Sequence, residues 1–102
     1  MYSWSVRFEW DEAKRKSNIA KHGIVFLDVP EVFTNLMLVG TDTRKDYGEI
    51  RKIGFGFTHA RLMVIAFTER EPDVIRIVSA RKANTREKVH YQEAIADELG
   101  KN

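Results

Sequence analysis

Three apolar runs joined by very short polar links constrain this chain more than any other feature. They are Ile50–Phe57, Leu62–Thr68 and Val74–Arg81, connected by "THA" and "REPD". Links of that length close hairpins, so the runs are expected to form an antiparallel meander. Leu62–Phe67 is apolar at every position, which implies cover on both pleat faces and a central place in the sheet. Leu36–Gly40 reads as another strand before the polar loop Thr41–Gly48, and Val6–Trp10 as a short alternating one.

Helix signals flank these strands. Asp11 can cap a helix through about His22, with Gly23 as its stop and a thin face of Ala13, Ser17 and Ala20. In "DVPE", Asp28 and Glu31 have capping-box spacing and Pro30 is tolerated in a first turn, so a short helix to Phe33 is expected. Asn84 and Glu87 repeat the spacing ahead of a helix to about Leu99, with Tyr91, Ala94, Ile95 and Leu99 on one face. The expected fold is α+β: N-terminal helices and a C-terminal helix packed on a curved antiparallel sheet, in one domain over 1–102.

Composition narrows the function classes. The absence of cysteine excludes disulfides and thiolate metal sites. No apolar run approaches the roughly 20 residues of a membrane span, and the start lacks a signal peptide's apolar segment, so a soluble cytoplasmic protein is expected. Net charge is only +2, but residues 74–91 hold five bases, Arg76, Arg81, Lys82, Arg86 and Lys88, against Glu87 alone. Such a patch on a near-neutral domain points to an anionic partner met at one place.

Helix N-termini disfavour cations, yet Arg81, Lys82 and Arg86 surround one. A bound phosphate would turn that electrostatic fault into a site. The bland reading is that these side chains snorkel to solvent or pair with Glu69, Asp73 or Glu87. By simple alternation Arg81 shares a face with Ile75 and Ile77, and Arg76 with Val74 and Val78. Arg51 shares one with Ile53, Phe55 and Phe57, where it meets the same anion or closes a buried salt bridge. Asp42, Asp46 and Glu49 match no metal-loop spacing and read as a solvated or partner-facing loop. His22 suits the end of its helix, His59 a hairpin turn and His90 the last helix, although any of them could move a proton. Trp10 reads as core, and Tyr47 as a base-stacking candidate.

The segments "FEWDEAKRKSNIAKHGIVF" (Phe8–Phe26), "DTRKDYGEIRKIGFG" (Asp42–Gly56) and "VIRIVSARKANTREKVHYQEA" (Val74–Ala94) resemble the three signature blocks of the BrnT-type toxins. The resemblance implies a RelE-like fold and a ribonuclease toxin of a type II toxin–antitoxin pair. It implies a cognate small DNA-binding antitoxin of the BrnA type and allows higher-order toxin–antitoxin assembly. RNA carries its own nucleophile, so such an enzyme needs a base, an acid and charge stabilisation at phosphorus, with no metal and no cofactor. Arg81, Arg76 and Arg51 are the expected phosphate ligands, Glu49 or His22 the proton-transfer groups, and Lys82, Arg86 and Tyr47 the RNA contacts. The competing reading is a non-catalytic module that uses the same patch to bind nucleic acid or its antitoxin.

Overall fold

The computed structural model describes residues 6–44, 46, 48–59 and 61–100, so Tyr47 lies outside the described residues. Its elements are β1 (Arg7–Trp10), α1 (Glu12–His22), a 3₁₀ segment (Phe26–Thr34), β2 (Leu38–Thr41), β3 (Lys52–Thr58), β4 (Arg61–Arg70), β5 (Val74–Lys82) and α2 (Thr85–Leu99). They build an α+β domain around one five-stranded sheet of order β1-β5-β4-β3-β2. The meander β3-β4-β5 is antiparallel as its short links require, and β4 is central. The sheet as a whole is mixed, because β1 runs parallel to β5 from Arg7 beside Val74 to Trp10 beside Ile77. Most of the chain separates those two strands, so no local signal announces their pairing.

The two sheet faces are covered unequally. On the inner face Met63, Ile65, Phe67, Ile75, Ile77 and Ala80 pack against Ile24, Phe26, Val29, Val32 and Phe33 of the segment after α1. Gly56 makes that approach possible, since a Cβ there would stand 2.7 Å from Val32 Cγ1. On the outer face α2 covers only one end, where Tyr91 and Ile95 meet Leu38, Phe55, Leu62 and Val64. The Tyr91 hydroxyl donates to the Leu36 carbonyl at 2.9 Å, and its ring meets Phe57 edge-on. Leu99, expected on the packed face, is 74% exposed because α2 has run past the sheet by then.

Two helix starts with the same sequence spacing behave differently. Before α2, Asn84 accepts from the Glu87 N–H while Glu87 accepts from the Asn84 N–H, a complete capping box. Asp28 and Glu31 form none: the 3₁₀ segment begins at Phe26, placing Asp28 already inside a turn, and Pro30 lacks the N–H of a continuous α-helical ladder. Glu31 instead accepts from the His59 N–H in the β3–β4 turn.

Helix α1 is capped by Asp11 and ends at Gly23 in the left-handed conformation, as expected. Its anticipated face of Ala13, Ser17 and Ala20 is exposed, however, and the buried residue is Asn18. β1 stops pairing with β5 at Ile77, leaving the β5 edge open beyond it. The Asn18 side chain takes the place of a strand there, accepting from the Ala80 N–H at 3.0 Å and donating to the Ala80 carbonyl at 2.8 Å. It also donates to the Ile24 carbonyl. A helix this poor in apolar residues therefore docks through one amide that satisfies backbone groups which burial would leave costly.

Candidate active site

The outer face beyond α2 gathers Arg51, Arg76 and Arg81 from the cations that the sequence singles out. A bulge decides this. Ala66 pairs with Ser79 but Phe67 with Ile77, so Val78 is the extra residue of β5 and alternation shifts by one across it. Ala80 thereby joins Ile75 and Ile77 in the core, and Arg81 turns to the outer face with Arg76. The expectation that Arg81 shares a face with Ile75 and Ile77 is thus corrected.

Arg81 lies opposite Val64. Its guanidinium makes a two-bonded fork with Glu87, Nη1 to Oε1 and Nη2 to Oε2, both 2.8 Å, and Nη1 also reaches the Lys82 carbonyl at 3.3 Å. The fork raises the Arg81 pKa and holds the Glu87 carboxyl below its ordinary range, helped by the Asn84 N–H. Arg44 lies near enough to oppose the Arg81 charge. Five N–H donors belong to an arginine, so Nε–H and the second Nη2–H remain for a ligand on a side chain 40% exposed.

A second cationic row crosses the sheet further along. Arg76 lies opposite Thr68, and its Nη1 donates to Glu9 Oε2 of β1 at 2.6 Å. Lys52 pairs with Phe67, so the next step of that register sets Arg51 beside Thr68 from the other side. Arg51 is half-buried and precedes β3 rather than belonging to it. Thr68 is buried between the two arginines, and its hydroxyl has no hydrogen-bond partner among the described residues. Val64 and Thr68 are four residues apart on β4, so the Arg81 position and this row are about 13 Å apart.

The remaining candidates disperse. Glu49 accepts from Arg70 Nη2 at 3.2 Å. His22 ends α1 and shares a depression of about 170 Å³ with Lys14, Ser17, Lys21, Val78 and Ser79. Lys82 lies opposite Met63 and therefore leaves the strand on the other side from Arg81. Arg86 is exposed on α2. Asp42 is not solvated as expected: it is buried and grips Arg44 by two side-chain bonds of 2.9 Å. Reading the sequence alone overlooks Glu9 and Thr68. Glu9 becomes informative only through the parallel β1–β5 register, and a threonine in an apolar strand carries no signal of its own.

A small α+β domain with arginines ranged over a partly covered sheet face defines a protein built to handle polyanions. Residues 10–87 match the family model described as "Ribonuclease toxin, BrnT, of type II toxin-antitoxin system". The chain belongs to that family, whose name carries both an RNA target and an antitoxin partner, and it is a toxin of the ribonuclease class. It is similar in structure to the Brucella abortus ribonuclease toxin, BrnT, with a TM-score of 0.62 and 26% identity, over 79% of this chain and 100% of that one. No curated protein matches it. No helix among the described residues is long and apolar enough to cross a membrane.

Proposed function

We propose that RNA is bound and cut on the outer face beside α2, by an endoribonuclease reaction that needs no metal. The ribose 2′-oxygen attacks the neighbouring phosphorus, the P–O5′ bond breaks, and a 2′,3′-cyclic phosphate and a 5′-hydroxyl result. A base takes the 2′ proton and an acid returns one to the 5′ oxygen, while cationic donors stabilise the charge gathering at phosphorus. The observation that carries this reading is Arg81, oriented by Glu87 and keeping two donors for a phosphate oxygen. Arg51 and Arg76, astride Thr68, take a second phosphate of the same strand.

Of the two proton-transfer candidates, His22 is better supplied than Glu49. Glu49 is engaged by Arg70, whereas His22 shares its depression with Ser79, which lies between Arg76 and Arg81 along β5. Arg86 and Tyr47 are proposed as outlying RNA contacts. The antitoxin is proposed to be a small DNA-binding protein of the BrnA type, capable of higher-order assembly with the toxin, and the site of action to be the cytoplasm.

Purified protein is expected to cleave RNA in excess chelator and to leave 2′,3′-cyclic phosphate ends. Activity lost with EDTA and restored by magnesium or manganese would rule the mechanism out.

A further inference from the structure

Lys82 parts company with Arg81 at the pleat, and its new neighbours form a site that the proposed reaction does not use. Arg61 lies two residues before Met63, the partner of Lys82, so both project from the same pleat face at the end of β4 and β5. Lys88 joins them from the start of α2. The three line a depression of about 380 Å³ completed by Leu62 and Ala83. Arg15, Arg44, Arg70, Arg76 and Arg81 each hold a carboxylate. No ion pair engages the Arg61, Lys82 or Lys88 side chain among the described residues. Three like charges around one hollow repel each other and concentrate an anion between them.

We infer that this hollow binds a backbone phosphate of the RNA away from the bond that is cut, acting as an exosite for the single strand. The inference rests on the outer-face ribonuclease reading and extends it. Lys82 follows Arg81 directly in the chain, so an RNA strand leaving Arg81 need only pass the end of β5 to reach the hollow. The three cations meet the phosphate over a floor closed by the buried Leu62 and Ala83. Lysine is suited to this as a mobile point charge that imposes little geometry, which fits recognition without sequence preference.

The test uses a 2′-O-methyl RNA oligonucleotide, which lacks the nucleophile and survives binding measurements. Its affinity is followed against salt for the wild type, the triple variant Arg61→Ala/Lys82→Ala/Lys88→Ala, Lys88→Ala alone, and Lys16→Ala as a cation control on α1. Each lost phosphate contact makes the slope of log affinity against log salt shallower by about 0.7 on single strands. The triple variant is expected to lose about 0.7 of slope, the share of the one phosphate held in the hollow, Lys88→Ala a part of that, and Lys16→Ala nothing. On cleavable RNA the triple variant should raise KM at unchanged kcat. Lys88 is an exposed helix position, so its single variant keeps the test decisive if the triple variant unfolds. A wild-type slope in Lys88→Ala and in a folded triple variant would overturn the exosite. So would loss of antitoxin binding at intact RNA affinity, which would make the hollow a seat for an acidic protein segment. Full cleavage by Arg81→Ala would instead sink the outer-face assignment and leave the salt slope to judge the hollow by itself.

Discussion

The two faces of the sheet are built from alternate residues of the same strands, yet they do different work. The inner face is closed by apolar side chains of the segment after α1, and Asn18, buried beside them, has its amide fully engaged. The outer face is closed only where Tyr91 and Ile95 reach it, and its open part carries arginines held by acids from other elements. Stability resides mainly in the first face, where burial is complete. Chemistry is left to the second, where the sheet supplies rigid positions and α2 leaves them accessible.

The sharpest way to break that division is to damage each face and see which property fails. Phe67→Ala removes a fully buried ring that meets Phe33 edge-on at 5.0 Å. It is expected to cost about 3–5 kcal/mol in chemical denaturation, enough to unfold a marginal domain. Arg81→Ala is expected to lower kcat for RNA about a hundredfold, close to 3 kcal/mol of transition-state stabilisation. Its melting temperature should fall only slightly, since an ion pair this exposed contributes about 1 kcal/mol or less. Arg86→Ala is the matched control and should change activity far less. A collapse of Arg81→Ala would show that the outer face supports the fold as well.

Asn18→Ala comes next and tests whether the inner face depends on polar docking. It leaves the Ala80 N–H and two carbonyls without their side-chain partner, which is expected to cost about 2 kcal/mol. RNA cleavage measured well below the melting temperature should persist, because the outer-face arginines do not touch Asn18. If the loss is instead too small to resolve, water has replaced the amide and the β5 edge is less enclosed than its burial implies.

What could be read beforehand follows how local each cause is. The β3-β4-β5 meander was legible because two short links dictate it, and α2 because Asn84 meets Glu87 three residues on. The same spacing at Asp28 misled, since a capping box needs an extended residue at its start and the chain has already turned there. The face of Arg81 was not legible: the bulge at Val78 carries no glycine or other mark, and shifting one residue reverses everything after it. Glu9 beside Arg76 and Asn18 beside Ala80 depend on contacts across most of the chain. The basic segment was visible as a cluster in sequence, but the pleat divides it into Arg76 and Arg81 on one side and Lys82 on the other.

The smallest effect draws the finest distinction between the faces, because only one of them should respond to acid in its folding energy. Asn18 does not titrate, whereas the Glu87 carboxyl is held below its ordinary value of 4.5 by Arg81 and by the Asn84 N–H. A lowered folded pKa means stabilisation that is fully present above about 4.5 and lost as pH falls through the folded value. Glu87→Gln isolates this effect, since glutamine still completes a capping box but cannot accept the charged fork. At neutral pH the variant is expected to be less stable by about 1 kcal/mol or less. Below 4.5 the two melting temperatures should converge as the wild-type carboxyl protonates and becomes as neutral as the amide. Phe67→Ala and Asn18→Ala, measured alongside, should keep a constant deficit over the same range. Should the Glu87→Gln deficit persist unchanged to strongly acidic pH, Glu87 acts through shape alone and Arg81 is not held by its charge. Arg81 would then need another cause for its orientation, and the proposed phosphate site would lose the feature on which it most depends.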